Sequence, residues 1–157
     1  MEKEIMLQQL EQSKIYCSRI FKDINDVNTF FRLSENTASV GFIFRHIGET
    51  IHLLAQLFGY KTDVESETLG QSDTGKEYDL KTSHTIVDQG YKTLEKLVNE
   101  TNEKDWLEEI ETSLFGKISR IKLYSLILFH NAHHSGQIAS AIVKGKKLTF
   151  ENQTNNN

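Results

Sequence analysis

The chain of 157 residues has no proline and only one cysteine, and it lacks the roughly 18–20 consecutive apolar residues of a membrane span. The absence of proline removes the commonest interruption of a helix and favours long helices. Because Cys17 stands alone, no disulfide forms within the chain and no cysteine-based zinc site is available. We therefore expect no membrane association and a cytoplasmic location.

The charge balance is also without a basic excess. Eighteen Lys and Arg residues face 22 Asp and Glu residues, which gives a formal net charge of −4. Proteins that bind nucleic acid normally carry a basic face, so we expect no nucleic-acid partner. The length favours one domain over residues 1–150, followed by a disordered polar tail over residues 151–157.

Hydrophobic residues recur at helical spacing in four segments, which predicts an all-α four-helix bundle. The polar stretch between the second and third segments, residues 60–79, is long enough to cross the bundle, so these two helices can run parallel. Residues 103–116 have a less regular pattern that allows a short extended piece. The four predicted helices run from about Glu2 to Ile24, from a cap at Ser34 or Asn36 to Phe58, from about Asp79 to Glu100, and from Gly116 or Lys117 to Val143.

Two histidines interrupt the apolar pattern of the fourth helix. His130 and His134 are four residues apart and fall within one stripe of residues at helical spacing, with Leu123, Ile127, Ile138 and Ala141. Two imidazoles at this spacing project from the same face and can bind one cation. An unpaired polar ring is unfavourable on a buried face, so the pair requires a partner.

A third histidine lies on the second helix. His46 shares a stripe with Ile43, Thr50, Leu53 and Leu57, and its distance from the helix start matches the distance of the histidine pair from the end of helix four. If the two helices are antiparallel neighbours, the three rings meet at one level. A three-histidine site leaves a coordination position open, as in catalytic metal sites. The alternative is a hydrogen-bonded polar network in the core.

The remaining candidates give weaker signals. His133 points away from its neighbours and is expected to flank the site or face solvent, whereas His52 and His84 show no pattern. Cys17 is interpreted as a small core residue. The Glu49-Thr-Ile-His52 motif resembles one half of a di-iron site, but helix four has no Asp or Glu between residues 118 and 143 to complete one.

The histidine motifs resemble those of the DinB/YfiT-like superfamily of metal-binding four-helix bundles. The segment His130-Asn-Ala-His133-His134-Ser-Gly136-Gln137 is similar to the family signature H-x-x-(H/Y)-H-x-G-Q on the last helix. The segment Gly41-Phe-Ile-Phe-Arg-His46-Ile-Gly-Glu49 is similar to the part of helix two that supplies the first ligand. The residue after the last ligand is often Arg in the family and is Ser135 here, which puts a cationic role at that position in doubt.

This resemblance implies more than the residue pattern does. It implies an up-down-down-up helix order with a long crossover between helices two and three, a homodimer, and a divalent ion, zinc or nickel, bound by His46, His130 and His134. Characterised relatives include S-transferases that use the low-molecular-weight thiols bacillithiol and mycothiol. The implied function is therefore a metal-dependent thiol S-transferase, or a hydrolase, that acts on a small molecule.

The catalytic residues stay unassigned at this level. Glu49 is one turn from His46 and is a candidate to orient a ring or accept a proton, although a solvated helix position is the simpler interpretation. Gln137, one turn beyond His134, is a second auxiliary candidate that can instead assist helix packing. Two other functions remain open: a dimeric bundle that binds a metal or small ligand without catalysis, and a structural dimer in which the histidines form a polar core network.

Overall fold

Four long helices form most of the structure, a computed structural model that describes residues 2–148. The predicted polar tail at residues 151–157 lies outside the described residues. Short strands and two 3-10 turns, at 28–30 and 103–107, occupy the connections, so the fold is mostly but not purely helical. The helices are α1 (Glu2–Phe21), α2 (Val40–Leu57), α3 (Leu80–Glu100) and α4 (Arg120–Lys144), and the strands are β1 (Phe31–Arg32), β2 (Glu109–Thr112), β3 (Gly116–Ser119) and β4 (Lys146–Lys147).

The second helix begins later than its sequence predicts. Its N-cap is Ser39, whose side chain accepts a hydrogen bond from the amide of Phe42, and neither Ser34 nor Asn36 has this role. Residues 28–32 form a 3-10 turn and strand β1, which pairs antiparallel with β4 beyond the end of α4. Helix α1 likewise ends at Phe21 rather than at residue 24.

The start of the fourth helix is displaced by a hairpin. Strands β2 and β3 pair antiparallel, with Glu109 opposite Ser119 and Thr112 opposite Gly116. Gly116 has a φ of +61°, a left-handed conformation that glycine adopts without strain. Residues 116–119 are thus extended, and α4 begins at Arg120 rather than at residue 116 or 117. The short extended piece predicted before this helix is confirmed as β2.

The four helices form a closed arrangement in which α2 and α1 each pack against both α3 and α4. Successive residues of α2 contact successive residues of α3 in the same chain direction. The rings of Phe44 and His84 meet edge to face with centroids 4.7 Å apart. Two helical glycines allow close approach further along, since Gly48 faces Ile86 and Gly90 faces the side chain of residue 51. The complete up-down-down-up order stays a prediction.

The hydrophobic core uses different faces of the two histidine-bearing helices. On α4 the apolar residues of the predicted stripe, Leu123, Ile127, Ile138 and Ala141, are all buried. On α2 the predicted stripe lies only partly in the core, because Ile43 and Thr50 are buried whereas Leu53 and Leu57 are half-buried. Because α2 is apolar on several sides, its periodicity did not identify the deepest face, which carries Val40, Phe44, Ile47, Ile51 and Leu54.

The crossover loop, residues 58–79, runs back along α2 from its C-terminal to its N-terminal end. Thr62 contacts His52 near the end of α2 through a hydrogen bond of 3.0 Å between Oγ1 and Nδ1. At the other end, Asp73 accepts a hydrogen bond from the amide of Ser39 at 2.7 Å and forms a buried ion pair with Arg32 at 2.6 Å. The loop therefore covers the side of α2 that carries His46.

Candidate metal centre

Three half-buried histidine rings from two helices meet at one point, as their positions in the sequence predict. His46 comes from α2, and His130 and His134 come from α4. The ring centroids lie 5.1 Å apart for residues 46 and 130, 4.9 Å for 46 and 134, and 4.4 Å for 130 and 134. One nitrogen from each ring lies within 4.8 Å of the other two. These residues can therefore contact one ion after small side-chain rotations.

The closest approach is a hydrogen-bond contact of 3.1 Å between the Nε2 atoms of His46 and His130. Two nitrogens that bind one tetrahedral zinc at about 2.0–2.1 Å are about 3.3 Å apart. The observed separation is thus close to what a shared ion requires. The donor set is entirely imidazole, which suits zinc, nickel, copper and iron.

The second ring nitrogen of His46 is held by the crossover loop. Its Nδ1 lies 3.2 Å from Oγ1 of Thr68, and this hydroxyl already donates its proton to Oε2 of Glu49 at 2.6 Å. The hydroxyl oxygen can then only accept a hydrogen bond from the ring, so Nδ1 of His46 carries the hydrogen. The tautomer that results leaves the lone pair of Nε2 directed at the cluster.

His134 is oriented in the same way by a residue on its own helix. Its Nδ1 lies 2.7 Å from Oε1 of Gln137. The amide oxygen Oε1 accepts a hydrogen bond from Nδ1–H, so Nε2 of His134 is again the ring nitrogen without a proton. Nδ1 of His130 is 3.5 Å from Oδ1 of Asn131, a weaker contact. Outer partners of this kind fix ring orientation in metal sites.

All three rings are neutral near pH 7. Burial, together with the neighbouring His134, lowers the pKa of His46 to about 4. Burial and the two neighbouring rings lower the pKa of His130 to about 3. The pKa of His134 is lowered as well, again mainly by burial. Because a metal binds the unprotonated nitrogen, the cluster does not need to lose protons before an ion binds at neutral pH.

Comparison with known proteins identifies the fold. The chain matches the crystal structure of the DinB-like protein YjoA from Bacillus subtilis over 88% of this chain and 90% of that one, with a TM-score of 0.63 and 18% sequence identity. The chain has a DinB-like fold. No family model and no curated protein sequence matches the chain. Among the described residues, no helix is both long and apolar enough to cross a membrane.

The residue that follows the last candidate ligand is a serine. Ser135 is fully buried, and it lies on the interior side of α4, one turn after the buried Asn131. A serine at this position belongs to the core of the bundle rather than to the opening of the site. A cationic side chain for an anionic substrate is therefore not supplied from this position.

The other histidines of the chain lie apart from the cluster or at its edge. His133 is exposed, with its ring centroid 5.1 Å from that of His134, so it flanks the site as expected. His52 is buried and bridges Thr62 of the crossover loop to the carbonyl of Ile86, a structural role that gives no periodic signal. Cys17 is fully buried in the core, as predicted.

The structure corrects the interpretation of Glu49 and adds Thr68, which the sequence did not indicate. Glu49 is not solvated, because it is only 2% exposed and its Oε2 accepts hydrogen bonds from the amides of Glu67 and Thr68. The role of Thr68 could not be predicted from the sequence, because it lies in an irregular polar loop. A signal existed only for Glu49, which is one turn from His46.

Proposed function

We propose that the chain is a metal-dependent enzyme that transfers a low-molecular-weight thiol to an electrophilic small molecule. In this proposal His46, His130 and His134 hold one divalent ion and leave a position open. The observation that carries the proposal is the convergence of three neutral imidazoles, two of them with their outer nitrogens already paired. The DinB-like fold agrees with the sequence resemblance from which the thiol chemistry of this proposal is taken.

The chemistry divides between the ion and the protein. When bound by three imidazoles, a divalent ion lowers the pKa of a thiol or water in its open position and supplies a nucleophile near neutral pH. The protein keeps the three imidazole rings neutral and orients them toward one point. Thr50 lies beside the cluster, with its hydroxyl 3.5 Å from Nε2 of His46. Oε2 of Glu49 is bonded to the crossover loop, whereas its Oε1 is buried without a hydrogen-bond partner, so we assign Glu49 a positioning role through Oε2.

Finer features of the proposal follow the resemblance. We propose zinc or nickel as the ion, an up-down-down-up helix order, a homodimer and a cytoplasmic location. The imidazole donors suit both metals. The helix order is supported by the contacts of α2 with α3, which advance in the same direction along both helices. The small-molecule substrate is expected to enter at the half-buried cluster.

Conjugation of a thiol to a chlorinated aromatic tests this function. The sulfur forms a bond to the ring carbon, chloride leaves, and the thiol proton passes to solvent. We expect the zinc-loaded or nickel-loaded protein to accelerate conjugation of bacillithiol or mycothiol, assayed separately. The His130→Ala variant should lose this activity, because it removes a ligand. The His133→Ala variant is the matched control, since this histidine is exposed on the same helix, and it should retain the activity.

The outcomes of this assay separate the candidate functions. Conjugation that survives His130→Ala or removal of the metal contradicts the proposal. A protein that binds one ion without turnover of any thiol or hydrolysable ester is instead the non-catalytic metal-binding bundle. Turnover of esters without thiol conjugation identifies a hydrolase at the same site.

A further inference from the structure

We propose that Thr68 is a positioning residue that couples docking of the crossover loop to metal affinity at His46. This inference rests on the metal binding proposed above and adds a link between the site and a loop outside the bundle. It differs from the ligand set itself, because Thr68 does not contact the ion. The chain of contacts runs from Glu49 through Thr68 to the outer nitrogen of His46.

The segment around Thr68 is attached to the bundle at a single buried point. Thr68 is 1% exposed, whereas the residues on either side of it, 65–67 and 69–70, are exposed. The amides of Glu67 and Thr68 both donate to Oε2 of Glu49, at 2.9 and 3.0 Å. Two successive amides directed at one carboxylate oxygen form a compact anion site within the protein. Thr68 thus holds the exposed turn onto α2.

The hydroxyl of Thr68 both docks the loop onto Glu49 and orients the ring of His46. Thr68 Oγ1 donates to Glu49 and accepts from Nδ1 of His46, so the docked loop and the metal-binding tautomer of the ring depend on one oxygen atom. If the loop undocks, His46 loses its partner and its ring is free to rotate. By thermodynamic linkage, an ion that favours the oriented ring must favour the docked loop by the same factor.

Zinc affinity of three threonine variants tests the first half of this coupling. Thr68→Val keeps the shape of the side chain and removes the hydroxyl, and we expect zinc to bind about 10–100-fold more weakly. Thr68→Ser restores the hydroxyl and should restore affinity. Thr85→Val is the matched control, because Thr85 is exposed on α3, outside the loop and the cluster, and its hydroxyl donates only to the carbonyl of Lys81 on the same helix. It should leave the zinc affinity unchanged.

Hydrogen exchange of residues 61–70 tests the second half. In the natural protein, zinc should slow amide exchange in this segment, because the ion stabilises the docked loop. In Thr68→Val the segment should exchange at nearly the same rate with and without zinc. A merely structural role of Thr68 would speed exchange equally in both states and leave the response to zinc intact.

The results that overturn the inference are distinct from those that overturn the proposed function. If the natural protein binds no zinc or nickel, the proposed function fails. If it binds zinc and Thr68→Val binds equally tightly, or if Thr85→Val loses as much affinity, the coupling is wrong and the metal site stands. A zinc-independent exchange rate for residues 61–70 in the natural protein likewise contradicts the coupling.

Discussion

At the scale of single residues, the site depends on what each histidine does with the nitrogen that faces away from the cluster. Thr68 and Gln137 bond the Nδ1 atoms of His46 and His134, so Nε2 carries no proton on either ring. Neither partner is a ligand. The histidines themselves could be predicted, because an imidazole within an apolar helical stripe is conspicuous. Of their partners, Gln137 is already an auxiliary candidate in the sequence, one turn beyond His134. Thr68 could not be predicted, since a threonine in an irregular polar loop has no distinctive pattern.

Removal of the Gln137 amide should weaken metal binding without removing it. In Gln137→Leu the Nδ1 proton of His134 has no acceptor on its own helix, so the ring loses its fixed orientation. We expect a fall of about tenfold in zinc affinity, measured by competition with a chromophoric chelator. Ser140→Ala, at an exposed position one turn further along α4, serves as the control. Equal zinc affinity of Gln137→Leu and the natural protein would show that Gln137 does not orient His134 for the ion.

The neutral histidines also predict how stability of the metal-free protein depends on pH. Burial lowers the pKa of His46 to about 4 and that of His130 to about 3, whereas both have a pKa of about 6.5 in the unfolded chain. Between these values the unfolded state binds more protons, so the free energy of unfolding decreases as the pH falls below about 6.5. Urea unfolding at pH 7.5 and pH 5 measures this decrease.

A double variant provides the control for the pH dependence. With His46→Gln and His130→Gln together, the decrease in unfolding free energy between pH 7.5 and pH 5 should become smaller, because two groups that titrate on unfolding are gone. An unchanged decrease would mean that other groups cause it.

At the scale of helices and loops, the sequence predicted the regular elements better than their connections. The four helices follow from periodicity, whereas the extended piece at residues 109–112 was only allowed by the less regular pattern before α4. The predicted start of α2 was wrong because Ser34, Asn36 and Ser39 are all suitable caps. In the structure, the amide of Thr37 donates to the carbonyl of Ser34 in a turn, and the helix begins after Ser39. The path of the crossover loop depends on long-range contacts, such as that of Asp73 with Ser39, which no local pattern encodes.

Two helical glycines should respond oppositely to alanine. A Cβ on Gly90 would lie 2.7 Å from Cγ2 of Ile51, whose side chain is fully buried, so Gly90→Ala should destabilise the metal-free protein by about 1–3 kcal/mol. A Cβ on Gly136 meets nothing within 4 Å, and Gly136→Ala should stabilise the protein by about 0.5–1 kcal/mol. Urea unfolding measures both. Stabilisation by Gly90→Ala would contradict the close packing of α2 on α3.

At the scale of the whole molecule, the proposed ion would join α2 to α4. These elements already pack together through the core, so the helices are expected to fold without metal. The ion should nevertheless stabilise the folded chain, because the unfolded chain does not bring His46 near His130. The fold class could be predicted from the sequence, and the match to a DinB-like structure supports it.

Removal of metal should therefore lower the melting temperature without unfolding the protein at room temperature. At a free zinc concentration 100 times the dissociation constant, binding adds about 2.7 kcal/mol of stability. For a chain of this size that corresponds to roughly 5–10 °C. Calorimetry with zinc and with a chelator measures the shift, and His130→Ala should show none. A shift of equal size in that variant would place the stabilising ion elsewhere.

The most direct test of the central claim is a crystal structure of the zinc-loaded protein with anomalous scattering at the zinc edge. We expect one anomalous peak about 2.0–2.1 Å from Nε2 of His46, His130 and His134, with Nδ1 of His46 still bonded to Thr68. A protein with zinc bound only at other residues, or with the ring of His46 turned away from the ion, would contradict it.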